Sequence, residues 1–179
     1  MLQQKLTQKQ EDMVNKWQKR IPPVRPSNDV VKIFEKNIAS AIKNRADSVW
    51  GLLGCTPEIR TIAGSYKARI ICMDQNPDAF YAYKVMSIPS PYEEFICINW
   101  LDLNYHGMFD IIIGDGVFSM LRAENHAKLL ENIYNMVKPK GFVILRNFFV
   151  APLVLDSVQK IFNWYRNEIN NGPIITRQY

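Results

Sequence analysis

The spacing of apolar positions changes near residue 45. Before that point it is helical: Val30, Phe34, Ile38 and Ile42 line one face, with Ile33 and Ala41 beside them. Ser27 is placed to cap this helix. Asp29 falls in its first turn, where a negative charge favours the exposed amides. Residues 1–20 predict an earlier helix that ends near Lys19-Arg20. Between the two, IPPVRPS carries three prolines within five residues. Each proline removes a donor and fixes φ, so this segment reads as an ordered crossing.

After Asn44-Arg45 the apolar residues fall in short continuous runs. SVWGLL, ARIICMD, EEFICIN, FDIIIGD and FVILRNFF predict five strands. Helices are expected between them. One starts at Thr56-Pro57-Glu58, with Thr56 as cap and Pro57 at the first helical position. A second spans Pro77 to Val85. A third runs from Ala123 to Val137, with Leu129, Leu130, Ile133 and Met136 on one face. Pro139-Lys140-Gly141 reads as a turn into strand five. Pro152 opens a last helix, striped by Leu155, Val158, Phe162, Tyr165 and Ile169.

Strands that alternate with helices imply a parallel sheet, and runs such as DIIIG fit a sheet covered on both faces. Right-handed crossovers then give an α/β fold: a Rossmann-like, doubly wound, mainly parallel sheet of order 3-2-1-4-5. After strand five only PIITR remains as strand-forming sequence, so a closing C-terminal antiparallel hairpin is expected to be missing or incomplete. The edge this leaves favours self-association into a homo-oligomer. The organisation read is 1–44 as N-terminal helices with a proline-rich lid, and 45–179 as the Rossmann-like domain.

Composition narrows the classes. Hydrophobic residues make up 47% and charged residues 22%, as in an ordinary globular protein. The net charge of +5 allows an anionic partner without demanding one. There is no Arg-rich run or aromatic–basic repeat, so a nucleic-acid partner is not expected. Cys55, Cys72 and Cys97 sit singly in apolar runs without a CxxC, and are expected as buried free thiols with no metal site. The N-terminus has no apolar signal-like region, and no run approaches the roughly 20 residues of a membrane span. A cytoplasmic protein without a membrane partner is expected.

In doubly wound sheets ligands gather beyond the carboxyl ends of the strands, which points to Gly51–Thr56, Asp74, Asn99 and Asp115. Gly54 and Asp74 are 20 residues apart. A glycine-containing turn after strand one, with an acid at the tip of strand two, suits adenosine. The glycines admit a ligand to the backbone, and the acid accepts from both ribose hydroxyls. GLLGCTPE lacks the third glycine of the dinucleotide motif. A pyrophosphate also wants free amides and positive charge at the helix start, yet Pro57 removes an amide and Glu58 adds a negative charge. A cationic sulfonium cofactor without phosphates suits this turn better. No P-loop motif is present.

The order of elements resembles the class I S-adenosylmethionine (SAM)-dependent methyltransferases over about residues 45–150. The resemblance is carried by VWGLLGCTPEIR, ICMDQNP, INWLDL, FDIIIGDGVFSML and LLENIYNMVKPKGFVILRNF. The lead-in WQKRIPPVRPSNDVVKIFE is similar to a bacterial branch of that superfamily for which no particular substrate is implied. The resemblance implies a Rossmann-like fold and SAM as cofactor, with S-adenosylhomocysteine as product and no metal. It implies that Gly51, Gly54, Cys55 and Thr56 face the methionine part, and that Asp74 holds the ribose. Gln75 and Asn76 would lie beside the adenine, with Asn99 near its amino group and Trp100 against the ring. Asp115 and Gly116 would line the pocket near the transferred methyl. Asn99 departs from the acid usual there, and the first motif lacks the commoner G-x-G-x-G.

Methyl transfer to a small-molecule acceptor mainly requires positioning, and needs a base only where the acceptor loses a proton. Asp115 is the first candidate as orienter or base, and His126 the second; His106 reads as loop. The fourth motif, DGVF, differs from the [DN]PP[FY] of exocyclic and amide nitrogen methylation. Trp17, Arg20 and Arg25 are candidates for a lid, in which an arginine pairs with a carboxylate of cofactor or substrate. The alternatives are a non-catalytic SAM-fold module acting through a partner, an NAD-type dehydrogenase, and nucleic-acid methylation.

Overall fold

The computed structural model describes residues 5–43, 45 and 47–148. The expected helix from Pro152 and the PIITR segment lie outside them.

Helix α1, Gln8–Lys19, starts inside the predicted span because Thr7 closes a capping box. The Thr7 hydroxyl accepts from the Gln10 amide, and the Gln10 side chain accepts from the Thr7 amide at 3.0 Å. Helix α2, Asn28–Ile42, opens on Ser27 as the sequence predicts. It buries Phe34, Ile38 and Ala41, while Ile33 is turned to solvent.

Strands β1 (Val49–Leu53), β2 (Arg69–Asp74), β3 (Glu93–Cys97), β4 (Phe109–Asp115) and β5 (Val137–Arg146) form one sheet. Its order is β3-β2-β1-β4-β5 and all pairings are parallel, as the sequence predicts. Helices α3 (Pro57–Ser65), α4 (Pro77–Lys84) and α5 (His126–Met136) lie between the strands. Pro57 does open α3, but the Thr56 hydroxyl makes no capping bond. Helix α5 buries Leu129, Asn132, Ile133 and Met136. Leu130 is exposed, because it lies off that i, i+3, i+4, i+7 row.

The turn expected before strand five lies inside the ladder instead. Val137 stands opposite Phe109, and the next pair is Phe142 opposite Ile111, so the residues between are looped out of register. Lys140 takes a φ of 64° there.

Alternate residues of β4 serve two cores. Ile111 and Ile113 pack with Phe34, Ile38, Trp50 and Ile59, and Ile112 packs on the other face with Phe109, Leu129, Ile133 and Met136. Two charged devices fix the edges of this frame. Arg60 is fully buried, and its Nε and Nη2 reach the two Glu93 oxygens at 2.7 Å each. Its Nη1 donates to the Phe80 carbonyl at 2.8 Å, so one guanidinium ties α3 to α4 and β3. At the opposite end of the sheet, Asp110 accepts from the Val49 amide at 2.9 Å and from Lys138 at 2.7 Å. Burial opposes the Asp110 charge, but Lys138, the Val49 amide and Arg45 outweigh it, and its carboxyl sits below the usual range.

Cys55 and Cys72 are buried free thiols, but Cys97 is exposed at the end of the edge strand β3, contrary to the expectation of burial. Among the described residues no helix is long and apolar enough to cross a membrane.

Candidate cofactor site

The loop leaving β1 starts at Gly54, whose φ of 98° is a backbone shape that favours glycine. The Gly54 amide donates to the Met73 carbonyl at 2.8 Å. The Trp100 indole donates to the same oxygen at 2.7 Å. A Cβ on Gly54 would stand 3.7 Å from Cζ2 of Trp100 and 3.9 Å from Oδ2 of Asp74. The missing side chain therefore leaves a nook, floored by Gly54 and walled by an indole and a carboxylate.

Each wall is held by the surrounding structure. The other Asp74 oxygen accepts from the Asn76 amide at 2.8 Å. Burial pushes the Asp74 carboxyl up, and the amides of Asn76 and Gln75 pull it back only in part. Trp100 begins a short 3-10 helix, Trp100–Asp102. Buried Asn132 of α5 fixes that turn by donating to the Trp100 and Leu101 carbonyls at 2.9 and 3.0 Å.

The other residues named from the sequence are placed differently. Gly51 is inside β1 and faces the core, where a Cβ would come within about 3 Å of Phe109 and Met73. Cys55 and Thr56 are buried in the loop. Asn76 caps α4 by accepting from the Asp78 amide at 3.1 Å, and Gln75 is exposed beside it. The Asn99 side chain caps its own turn, accepting from the Leu101 amide at 3.1 Å.

The proline segment docks over the start of α3. Arg25 Nε donates to Oε1 of Glu58 at 2.6 Å, and the Trp17 indole approaches the same oxygen at 3.4 Å. The Arg20 guanidinium lies 5.3 Å from the centre of the Trp17 ring. The Glu58 charge is thus matched by Arg25. The sequence argument against a pyrophosphate then rests on Pro57 and the absent third glycine.

The same segment reaches β5. Arg146 Nη1 donates to the Pro23 carbonyl at 2.9 Å, and its Nε donates to Oδ1 of Asp115. Asp115 and Arg146 are direct partners across β4 and β5. The Asp115 side chain is only 3% exposed. Burial pushes its carboxyl up, Arg146 pulls it down, and the Glu58 carboxylate adds to the rise. Gly116 follows at φ 67°, under the Phe148 ring. Asp115 is thus already engaged, as suits an orienting group better than a free base.

His126 Nε2 lies 3.0 Å from the Phe118 carbonyl, and its ring meets Phe118 edge-on. It braces the turn after β4. His106 is exposed in the loop before β4. Among the described residues no cluster of His, Cys, Asp and Glu could hold a metal. A separate concavity, lined by Arg45, Lys67, Arg69 and Tyr92, lies at the amino ends of the strands, away from the nook.

Sequence reasoning missed Glu58 as the anchor of the proline segment, Asn132 as the support of Trp100, and Arg146 as the partner of Asp115 and Pro23. Arg146 had a signal. It ends strand five, and the rule that ligands sit at strand carboxyl ends applies to that strand as much as to the others.

No family model and no curated protein sequence matches the chain. Solved structures match it in fold. One is N-methyltransferase NodS from Bradyrhizobium japonicum in complex with S-adenosyl-L-homocysteine, at TM-score 0.54 and 14% identity. That match covers 76% of this chain and 71% of NodS. A TehB-like SAM-dependent methyltransferase from Corynebacterium glutamicum matches at TM-score 0.55 and 16% identity, over the same shares of the two chains. A sarcosine dimethylglycine methyltransferase homologue from Galdieria sulphuraria matches at TM-score 0.57 and 14% identity, over 76% of this chain and 52% of that one. The chain therefore spans about half the length of the Galdieria protein. At such identities the likeness is one of fold: the chain has the Rossmann-like fold of the class I SAM-dependent methyltransferases.

Proposed function

We propose that the chain is a SAM-dependent methyltransferase that transfers a methyl group to a small-molecule acceptor. The observation that carries this reading is the nook over Gly54, bounded by Trp100 and Asp74. An indole face and a carboxylate beside a glycine floor suit the ring and ribose of an adenosine. In this reading Asp74 takes the ribose hydroxyls, Trp100 the base, and the backbone from Gly54 to Thr56 the amino-acid end. Gln75 and Asn76 lie beside the base, and Gly116 lines the far side with Asp115. The cofactor supplies an electrophilic methyl on a sulfonium. The protein holds the two reactants together and keeps water out. Residues 1–44 act as a cap over the domain that begins near residue 45. Its Arg25–Glu58 and Pro23–Arg146 bonds support this role.

Calorimetry with SAM, S-adenosylhomocysteine and NAD, on wild type and Asp74→Ala, tests the proposal. Binding of the first two that is lost in the variant is expected. If wild type ignores SAM and S-adenosylhomocysteine, the reading is wrong.

A second reading, a SAM-fold module that acts through a partner, is favoured by two observations: Asn99 is spent on its own turn and Asp115 is held by Arg146. It predicts SAM binding with no S-adenosylhomocysteine formed across a broad acceptor panel.

A further inference from the structure

We propose that the cleft beneath the amino ends of β1, β2 and β3 is a second ligand site, and that it takes a small aromatic anion of the nucleoside monophosphate kind. The site stands whether or not the chain is a methyltransferase.

Position separates the cleft from the nook. Arg69 and Asp74 stand at the two ends of β2, roughly 17 Å apart for a strand of this length. Asp74 borders the nook, and Arg69 borders the cleft. Val49 and Trp50, which serve opposite cores, both border the cleft as well. It therefore lies under the end of the sheet rather than on one face. Its volume is about 540 Å³, within the range of pockets that enclose small ligands.

The charges that line it are unbalanced. Arg45, Lys67 and Arg69 stand against one acid, Asp47. Arg45 is fixed by Asp110 and by the Lys140 carbonyl, and Asp110 also serves Lys138, so one carboxylate answers two cations. Arg69 gives only Nε to Glu94, at 3.2 Å, in a pair that is more than half exposed on both sides. Such a pair is weak. The other two nitrogens of Arg69 have no protein partner among the described residues.

Lys67 supplies the second observation. Its amide donates to the Gly64 carbonyl at 3.0 Å, and the Ala68 amide donates to the Ala63 carbonyl at 2.9 Å, which closes α3. Lys67 takes a φ of 50° there, the left-handed shape that helix ends usually give to glycine. Its ammonium makes no ion pair among the described residues. The turn is better served by glycine and the fold makes no use of the charge, so the lysine is accounted for by what enters the cleft.

Aromatic residues select the rest of the guest. Trp50 is fully buried behind the cleft, and its indole donates to the Ser48 hydroxyl at 2.8 Å, so it asks for no polar atom. Tyr66 leans on Trp50 with ring centres 5.9 Å apart and is 40% exposed, and Tyr92 is 62% exposed. The Ile70 amide donates to the Tyr92 carbonyl, which sets Tyr92 beside Arg69 at the starts of neighbouring strands. Exposed tyrosine rings offer stacking faces to a flat ring, and the lysine and arginine beside them offer donors to an anion. A nucleoside monophosphate joins a base that stacks to a phosphate that accepts. A nucleic-acid strand is a poorer match, because Asp47 and Glu94 interrupt the basic surface.

S-adenosylhomocysteine also carries an adenosine, and the experiment separates the two sites. AMP, GMP, CMP and UMP are titrated into the full chain by NMR or calorimetry, with and without saturating S-adenosylhomocysteine. The matching nucleosides, inorganic phosphate and a single-stranded oligonucleotide are titrated alongside.

At least one monophosphate is expected to bind about tenfold or more tightly than its nucleoside and than phosphate. S-adenosylhomocysteine leaves that affinity unchanged. Lys67→Gly is expected to weaken the monophosphate about tenfold, with a melting temperature equal to or above that of wild type. Arg69→Gln weakens it in the same direction, and Tyr92→Leu weakens the monophosphate without weakening phosphate. Equal binding of monophosphate, nucleoside and phosphate overturns the proposal, as does full affinity in both Lys67→Gly and Arg69→Gln. Displacement of the monophosphate by S-adenosylhomocysteine overturns it too, because the nucleotide then sits in the nook. An oligonucleotide bound about tenfold more tightly than any monophosphate also overturns it, and makes this surface a nucleic-acid face instead.

Discussion

Oδ2 of Asp74 stands 3.9 Å from the point a Cβ would occupy on Gly54. The carboxylate at the tip of β2 and the bare backbone after β1 therefore face one another across the nook. Asp74→Ala is expected to weaken S-adenosylhomocysteine binding by about 10- to 100-fold, the worth of hydrogen bonds to a charged group. Gly54→Ala adds a methyl to the nook and places alanine at φ 98°, which costs about 1–2 kcal/mol of stability in addition to affinity. Calorimetry and urea unfolding read the two effects separately. Undiminished affinity in both variants contradicts the placement of the adenosine.

The buried Arg60–Glu93 pair predicts an asymmetry between single and double variants. Glu93→Leu leaves a guanidinium with 0% side-chain exposure without its counter-charge, and is expected to cost about 3–5 kcal/mol in urea unfolding. Arg60→Met together with Glu93→Leu is expected to recover most of that loss, since apolar replacements of a buried pair are often tolerated. A double variant as unstable as the single one would show that the pair itself, rather than an orphaned charge, sets the stability.

The proline segment gives the opposite expectation. Arg25 is 38% exposed, so its bond to Glu58 is partly screened. Arg25→Ala is expected to change stability by only about 0.2–1 kcal/mol. If the segment closes over the cofactor, the same variant loses S-adenosylhomocysteine affinity and is cut faster by trypsin at Arg20. Unchanged affinity and unchanged cleavage would remove the capping role.

pH separates the carboxylates by the sign of their shifts. Asp110 is held below its usual value. Its contribution is fully present above the unfolded value, about 3.9, and is lost as pH falls through the lower folded value. Asp110→Asn is therefore expected to flatten the acid limb of the stability curve. Asp74 and Asp115 are pushed up by burial. Their ionisation costs stability as pH rises from about 3.9 through their folded values. Asp74→Asn is expected to stabilise the ligand-free protein at neutral pH and not at pH 3. Thermal melts from pH 3 to 8 check both, and stabilisation of equal size at both ends would contradict the assignment for Asp74.

Most of the frame was legible because its elements announce themselves locally. FDIIIGD became β4 residue for residue, and Ser27 and Pro57 start the helices they were expected to start. The position of Asp74, at the end of β2 and facing Gly54, was legible from its spacing. What was not legible depended on partners distant in sequence. Asn132 looks like an interruption in the stripe of α5 until the Trp100 and Leu101 carbonyls lie against it. Glu58 looked like a free charge until Arg25 met it. Arg146 looked like the end of a strand until Asp115 and Pro23 fixed two of its nitrogens. The misplaced turn at Pro139-Lys140-Gly141 has a similar origin, since the chain resumes its pairing with β4 on the far side and turns within the ladder.

The Met73 carbonyl takes both the Gly54 amide and the Trp100 indole. One atom therefore sets the distance between floor and wall, and thermal motion of β2 carries both along. The separation of floor and wall is therefore set before any guest arrives, and a guest has little left to organise there.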